Sequence, residues 1–389
     1  MTAEAIAPLR IVVVTDAWFP QVNGVVRTLR TVGDQVERMG HSIKFITPDM
    51  FRTIPCPTYP EIRLCINAGG RLARMLEAEA PDAVHIATEG PLGIAARRWC
   101  LRHDFPFTTA FHTRFPDYVH ARLRIPVSWS WAVLKWFHRP SKGVMVATRT
   151  LETELNERGL ANTKIWTRGV DLELFRPVAS DLFANMAKPV FLFVGRVAIE
   201  KNIEAFLKLD LPGIKVVVGD GPQRRQLQAA FPKTVFAGEQ HGEALAAHFS
   251  AADVFVFPSL TDTFGLVMLE AMACGLPVAA FPVAGPVDVV TDHRAGVLDA
   301  DLGKAARQAL KLSGDDARRH AIGYSWENCA NIFLSNLYPV QSGPVGRILS
   351  GPHCKEPGNP AHRQRFPICG MLFFSGEECR YSFWSSPAG

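Results

Sequence analysis

Long apolar runs are missing from this sequence. No stretch of its 389 residues approaches the roughly 18 to 20 apolar residues that span a bilayer. The opening segment, MTAEAIAPLRIVVVTD, has no basic n-region followed by an apolar core, so no secretory leader is expected and the default compartment is the cytoplasm. Cysteine occurs eight times, at 56, 65, 100, 274, 329, 354, 369 and 379, but never as C-x2-C and never beside histidines at zinc spacing. That excludes the common zinc motifs and leaves reduced, mostly buried thiols as the expectation. No G-x-G-x-x-G follows the first apolar run, so a nicotinamide-dependent dehydrogenase is disfavoured. Net charge is small, +5, but unevenly spread. Residues 93–149 carry ten Lys or Arg (97, 98, 102, 114, 122, 124, 135, 139, 142, 149) against Asp104 and Asp117. A local surplus of this kind points to an anionic partner; a nucleic acid is not expected, because no nucleic-acid motif accompanies it.

What is present is a rhythm. RIVVVT (10–15), SIKFITPD (42–49), PDAVHIAT (81–88), PFTTAFHT (106–113) and GVMVAT (143–148) read as short buried strands separated by helical segments. Val26, Leu29, Val32 and Val36 recur at helical spacing, and Gly40 stops that helix. The alternation restarts with PVFLFVGR (189–196), IKVVVGD (214–220), KTVFAGE (233–239), DVFVFPS (253–259) and PVAAFPV (277–283). Near-continuous apolar strands alternating with helices predict an α/β chain of two Rossmann-like, doubly wound domains facing a cleft. The expected units are 1–180 and 181–338, joined by the stretch 171–189. The closing helix within 324–338 can return to the first domain. Residues 340–389 hold seven Gly, six Pro and three Cys without any sustained period. The segment 339–389 is expected not to pack, and its mixed composition reads as a non-native or frameshifted end, which the genomic sequence around codon 340 tests.

Ligands of doubly wound sheets bind at the carboxyl ends of the strands, so chemistry is sought there. After the first strand, Pro20, Asn23 and Gly24 form a turn whose helix amides suit a phosphate; an ordinary strand–helix turn explains the residues equally well. After PVFLFVG come Arg196 and Lys201, two cations suited to a diphosphate, although loop cations are often only solvated. His112 follows another strand and can donate to an oxyanion or a sugar hydroxyl, or serve structure alone. In TDTFGLVMLEAMACG, Asp262 lies in a loop and Glu270 in the next helix. Two carboxylates with helix amides between them suit a sugar nucleotide. A helix with an acidic cap and one solvated Glu is the alternative, but it leaves Glu270 unexplained inside an apolar run.

GRVAIEKN, GDGP and PSLTDTFGLVMLEAMACGLPV together resemble the retaining glycosyltransferases of family four, which have the GT-B fold; the resemblance spans roughly residues 10–338. FHTRFPDYV and WTRGVDLELFRP are most similar to bacterial GDP-mannose-dependent α-mannosyltransferases. The resemblance implies transfer of a hexose, with mannose favoured, from a nucleotide diphosphate sugar to a lipid or glycan acceptor. A UDP-glucose or other UDP-sugar donor, and a non-catalytic sugar-nucleotide binder, remain alternatives. It implies front-face attack with retention, no covalent nucleophile and no metal or cofactor. By position, Glu270 holds the ribose. Arg196 and Lys201 bind the diphosphate, beside Gly195, and Gly24 lies against the phosphates. His112 sits near the transferred sugar, and Asp262, Thr263, Phe264 and Gly265 line the sugar and phosphate site. Three positions depart from the family pattern: Asp262 stands where Glu is usual, the first loop reads Asn23-Gly24-Val25 without a double glycine, and Arg168 stands where Asn is common before GVD. The last can add a phosphate contact. Asp299-Ala300-Asp301 matches a metal-binding D-x-D but lies in the wrong place. Trp129, Val133, Trp136 and Phe137 share helical spacing among basic residues, either as a buried aromatic face or as a peripheral contact with anionic lipid on the inner face of the membrane.

Overall fold

Alternate residues of the first strand face two different cores, which is why its sequence has no polar face. In the computed structural model, which describes residues 8–19, 24–56, 59–112, 127–262 and 264–340, Ile11 and Val13 join one hydrophobic cluster while Val12 and Val14 join another. The second sheet repeats the device. Val190, Leu192 and Val194 face one core, and Phe191 and Phe193 face the other. A sheet covered by helices on both faces demands such unbroken apolar strands.

The first half of the chain contributes β1 (Arg10–Val14), β2 (Ser42–Ile46), β3 (Thr53–Cys56), β4 (Tyr59–Cys65), β5 (Ala83–Ile86), β6 (Phe107–Phe111), β7 (Gly143–Val146) and β8 (Thr163–Ile165). Six of these form a parallel sheet in the order β2-β1-β5-β6-β7-β8, while β3 and β4 make a separate antiparallel hairpin. The second half contributes β9 (Val190–Val194), β10 (Ile214–Val218), β11 (Val235–Gly238), β12 (Val254–Phe257), β13 (Val278–Ala280) and β14 (Gly296–Leu298), parallel in the order β11-β10-β9-β12-β13-β14. The hairpin and the short strands β8 and β14 had no periodic signal strong enough to read. Strand order reverses between β1 and β5 in one sheet and between β9 and β12 in the other. Those reversals open crevices at the strands' carboxyl ends.

Five helices position what lies there: α1 (Gly24–Arg38), α2 (Pro91–Arg102), α3 (Val127–His138), α4 (Leu266–Ala273) and α5 (Trp326–Asn336). Helix α1 buries Val26, Leu29, Val32 and Val36, and ends before Gly40, whose φ is +88°. Helix α3 divides its aromatics. Trp131, Leu134 and Phe137 are buried, whereas Trp129, Val133 and Trp136 are 65%, 49% and 48% exposed. Phe137 therefore does not belong to the outer stripe. One residue turns a helix by about 100°, which carries Phe137 off the face of Trp136 and into the core. Among the described residues no helix is long and apolar enough to cross a membrane. The segment 341–389 lies outside the described residues; the last backbone bond before it runs from Val340 N–H to Asp82 O, at 2.8 Å.

Helix α5 does not stay with the second sheet. It packs along α1, and Trp326, Cys329, Ala330, Phe333 and Leu337 enter the core formed by β1 and α1. Its entry runs beside the segment that leaves β8. Val170 and Ser325 form a parallel bridge, and Val170 N–H donates to Tyr324 O at 2.8 Å. Cys329 Sγ donates to Thr167 O at 3.2 Å, and Asn336 Nδ2 to Ile165 O at 2.8 Å. A Cβ on Gly169 would stand 2.5 Å from the Trp326 ring, so only glycine lets the two segments touch. Phe333, 1% exposed, tilts against Trp166 with ring centroids 5.0 Å apart. Replacing Phe333 by Ala is expected to lower stability by about 3–5 kcal/mol, measured by urea unfolding as a fall in midpoint at unchanged slope.

Candidate active site

The β9/β12 reversal sets two loops side by side. The chain leaves β9 through Gly195 and Arg196 and makes a short turn over Ile199–Lys201. It leaves β12 through Pro258 to Asp262. Asn202 Nδ2 donates to Pro258 O at 3.0 Å, and Thr261 Oγ1 to Glu200 O at 3.3 Å, so the loops are tied together. Lys201 Nζ then meets both oxygens of Asp262, at 2.6 and 2.8 Å, and both side chains are about one-quarter exposed. The diphosphate cation and the sugar acid of the sequence reading thus neutralise each other. Asp262 is not the cap of α4: Gly265, at φ +82°, stands at that position with no side-chain cap. Arg196 is mostly exposed and meets Glu200 at 3.5 Å. The GDGP turn supports this loop through its backbone. A Cβ on Gly219 would stand 2.0 Å from Gly195 O, so glycine is required for the strand ends to approach.

Glu270 lies within α4, 8% exposed, among Met268, Leu269, Ala271 and Met272 in the core. Its Oε1 accepts from Arg27 Nη1 of α1 at 3.3 Å. Burial pushes the Glu270 carboxyl above its ordinary value, while Arg27 pulls it back. The acid in the apolar run is therefore a buried carboxylate with one cation from the other half of the chain. Arg27 escaped the sequence reading. Its only signal was one basic residue three positions after Gly24. Gly24 begins α1 and is exposed, with nothing within 4 Å of a Cβ placed there. Phe264 is buried in the second core. Pro20, Asn23, Thr263, Thr113 and Arg114 lie outside the described residues.

His112 follows β6 at the carboxyl edge of the first sheet. Its Nδ1 accepts from Arg168 Nη2 at 3.0 Å, and its Nε2 is buried without a partner among the described residues. Burial, then Arg168, His85 and His138, hold its pKa well below the ordinary value. Arg168 was expected to reach a phosphate, but both of its bonds are to protein: it donates to His112 and to Trp166 O, the latter at 3.2 Å. Asp16, missed in the sequence, follows β1 and accepts from Leu92 and Gly93 N–H of α2 at 2.9 and 3.2 Å and from Thr88 Oγ1 at 3.0 Å. The residues of the D-x-D do local work: Asp299 meets Lys304 at 2.5 Å, and Asp301 accepts from Lys304 N–H at 3.0 Å, capping the helix Leu302–Ala309.

Residues 22–174 match the family described as Glycosyltransferase Family 4, and residues 188–315 match Glycosyl transferases group 1. The chain is 31% identical over 372 residues to a GDP-mannose-dependent alpha-mannosyltransferase of Mycobacterium tuberculosis, covering 86% of this chain and 97% of that one. The chain belongs to the family-four glycosyltransferases. A mannosyltransferase of the same description from Mycolicibacterium smegmatis is 30% identical, covering 82% of this chain and 94% of that one. Among solved structures, sucrose-phosphate synthase from Thermosynechococcus elongatus superimposes with a TM-score of 0.64 at 24% identity, covering 84% and 97% of the two chains. Anabaena HepE in complex with UDP does so with a TM-score of 0.63 at 14% identity, over 84% and 98%. These likenesses carry the fold: this glycosyltransferase has two Rossmann-like domains in the GT-B arrangement.

Burial drives the Asp16 carboxyl up to about 6, ahead of the hydrogen bonds that lower it. A folded value above the unfolded one, about 3.9, means that the folded state binds the proton more tightly. This group's contribution to stability is then greatest in acid and falls as pH rises from about 4 to about 6. Asp16→Asn is expected to remove that limb, seen as a difference between the two proteins' urea midpoints that changes across that range, with the variant's own midpoint the flatter.

Proposed function

We propose that this glycosyltransferase moves mannose from GDP-mannose, with retention of configuration, to a lipid or glycan acceptor. Buried Glu270 carries the reading. An acid is costly to bury unless it has a polar duty, and a carboxylate accepts two hydrogen bonds from the cis-diol of a ribose. The descriptions of the relatives support GDP-mannose over a UDP-sugar as the donor. On this reading Lys201 exchanges Asp262 for the diphosphate, and Asp262 is released to sugar hydroxyls. Arg196 and Lys201 then stabilise the charge that develops on the leaving group. The acceptor's proton passes to the leaving diphosphate, since no carboxylate is assigned as a nucleophile.

A thermal-shift and hydrolysis panel with GDP-mannose, UDP-glucose and other UDP-sugars tests the donor. GDP-mannose should give the largest stabilisation, and a protein stabilised by none of them would end the proposal. Glu270→Ala should weaken GDP-mannose binding by about tenfold or more, an effect on the order of 1.4 kcal/mol, measured by calorimetry; unchanged affinity would remove the ribose role.

The exposed stripe of α3 supports peripheral contact with an anionic membrane. Trp129, Val133 and Trp136 project from the fold beside Lys135 and Arg139. Arg97 is spent in holding this helix: it lies 4.0 Å from the Trp136 ring centroid and donates to Trp136 O and Phe137 O at 2.7 and 3.1 Å. An apolar face flanked by cations suits an interface with acidic headgroups. Flotation with vesicles containing anionic lipid should recover the protein, and the double change Trp129→Ser with Trp136→Ser should lose it. Equal recovery with neutral vesicles would argue against the electrostatic part.

A further inference from the structure

Arg168 is a buried cation that no described carboxylate pairs with. It is 9% exposed and sits between β8 and the crossing at Val170. Its guanidinium lies 5.4 Å from the Trp166 ring centroid, and Trp166 is fully buried against His85, His112 and Phe333. Two of its hydrogen-bond partners are fixed: Trp166 O at 3.2 Å and His112 Nδ1 at 3.0 Å. Desolvation lowers its pKa to about 10, so it stays charged at neutral pH.

A guanidinium has N–H donors and no acceptor. The His112 nitrogen facing it must therefore be the lone-pair nitrogen, and the ring's proton must reside on Nε2. Protonating Nδ1 would place two donors and two positive charges against each other in a buried setting. The other ring nitrogen is the one left buried and unpartnered among the described residues. An amide at position 168 would not impose this choice, because it can turn either its oxygen or its nitrogen toward the ring.

We propose that Arg168 is a positioning residue that locks His112 as the neutral Nε2–H tautomer. His112 then offers one fixed N–H to an oxygen of the bound sugar nucleotide. The second part rests on the donor reading above; the first does not. With no carboxylate beside it among the described residues, the guanidinium also adds positive charge to this edge of the first sheet, which favours the diphosphate end of the donor.

Imidazole 15N spectra of the full chain test the lock, with the His112→Asn spectrum used to assign the His112 signals. The wild type should show an acceptor-type Nδ1 and a protonated Nε2. Arg168→Met should shift both signals toward a tautomer mixture, lower kcat by on the order of 10- to 100-fold, and change donor KM less. Arg168→Lys, which restores a buried donor and charge, should recover part of both. A wild-type Nδ1–H, an unchanged tautomer in Arg168→Met, or a changed tautomer with unchanged kcat would each overturn the proposal. If Arg168→Met does not fold, Arg168→Gln takes its place, with the same expected and overturning outcomes. A wild type with the Nε2–H tautomer that turns over no sugar nucleotide would sink the donor reading while leaving the lock standing.

Discussion

Two segments of chain pass between the sheets, and they pass side by side. The outgoing one runs through Trp166, Arg168, Gly169 and Val170; the returning one runs through Tyr324, Ser325 and Trp326. The parallel bridge at Val170 and Ser325 joins them, and the bonds from Cys329 and Asn336 fasten the returning helix to the carbonyls of Thr167 and Ile165. This contact fixes where each domain's strand ends lie. It also buries Trp166 between Phe333 and His85, and that aromatic packing is the floor on which Arg168 and His112 rest. The closing helix is thus part of the site's support, although it contributes no residue of the sugar-nucleotide chemistry.

Among the described residues, three cations of the site are paired with acids. Lys201 is held by Asp262, Arg27 by Glu270, and Arg196 by Glu200. The exposed pair Arg196–Glu200 adds little to stability, since solvent screens it and ordering long side chains costs entropy, and the Lys201–Asp262 pair, about one-quarter exposed, is still open to solvent. They are therefore easily exchanged for a diphosphate or a diol. Arg27 with Glu270 is different, because it spans the two halves of the chain and one partner is buried. On the proposed donor reading, a ribose at Glu270 would share its carboxylate with that contact. Arg168 stands apart as a buried cation without a carboxylate among the described residues.

Much of the fold was legible because its strands are buried on both faces. IVVV, VFLFV and FVF are too apolar for any half-exposed element, and their separation by helix-length segments implies parallel crossovers. The β3–β4 hairpin and the short strands β8 and β14 were not legible: β3, β8 and β14 run for only three or four residues and are only partly buried, and the hairpin stands outside the periodic alternation. Glu270 and Asp262 could be picked out by chemistry: carboxylates at a strand end and inside an apolar helix are costly without a role. Arg27 and Asp16 could not. One basic residue in an amphipathic helix and one acid after a strand are ordinary in sequence, and only packing shows that each meets a group far along the chain.

The sequence by itself determined the class of the molecule: two doubly wound sheets, read from the local periodicity of strands and helices, and a family of glycosyltransferases, read from the resemblance carried by GRVAIEKN, GDGP and TDTFGLVMLEAMACG. The tertiary structure decided the pairings. That Lys201 faces Asp262, that Glu270 faces Arg27, that Phe137 turns inward while Trp136 stays out, and that Arg168 meets a histidine and not a phosphate all depend on side chains separated by many residues. Such contacts are set by the crossing of the chain between its sheets and by what each buried group must do to satisfy its hydrogen bonds and charge.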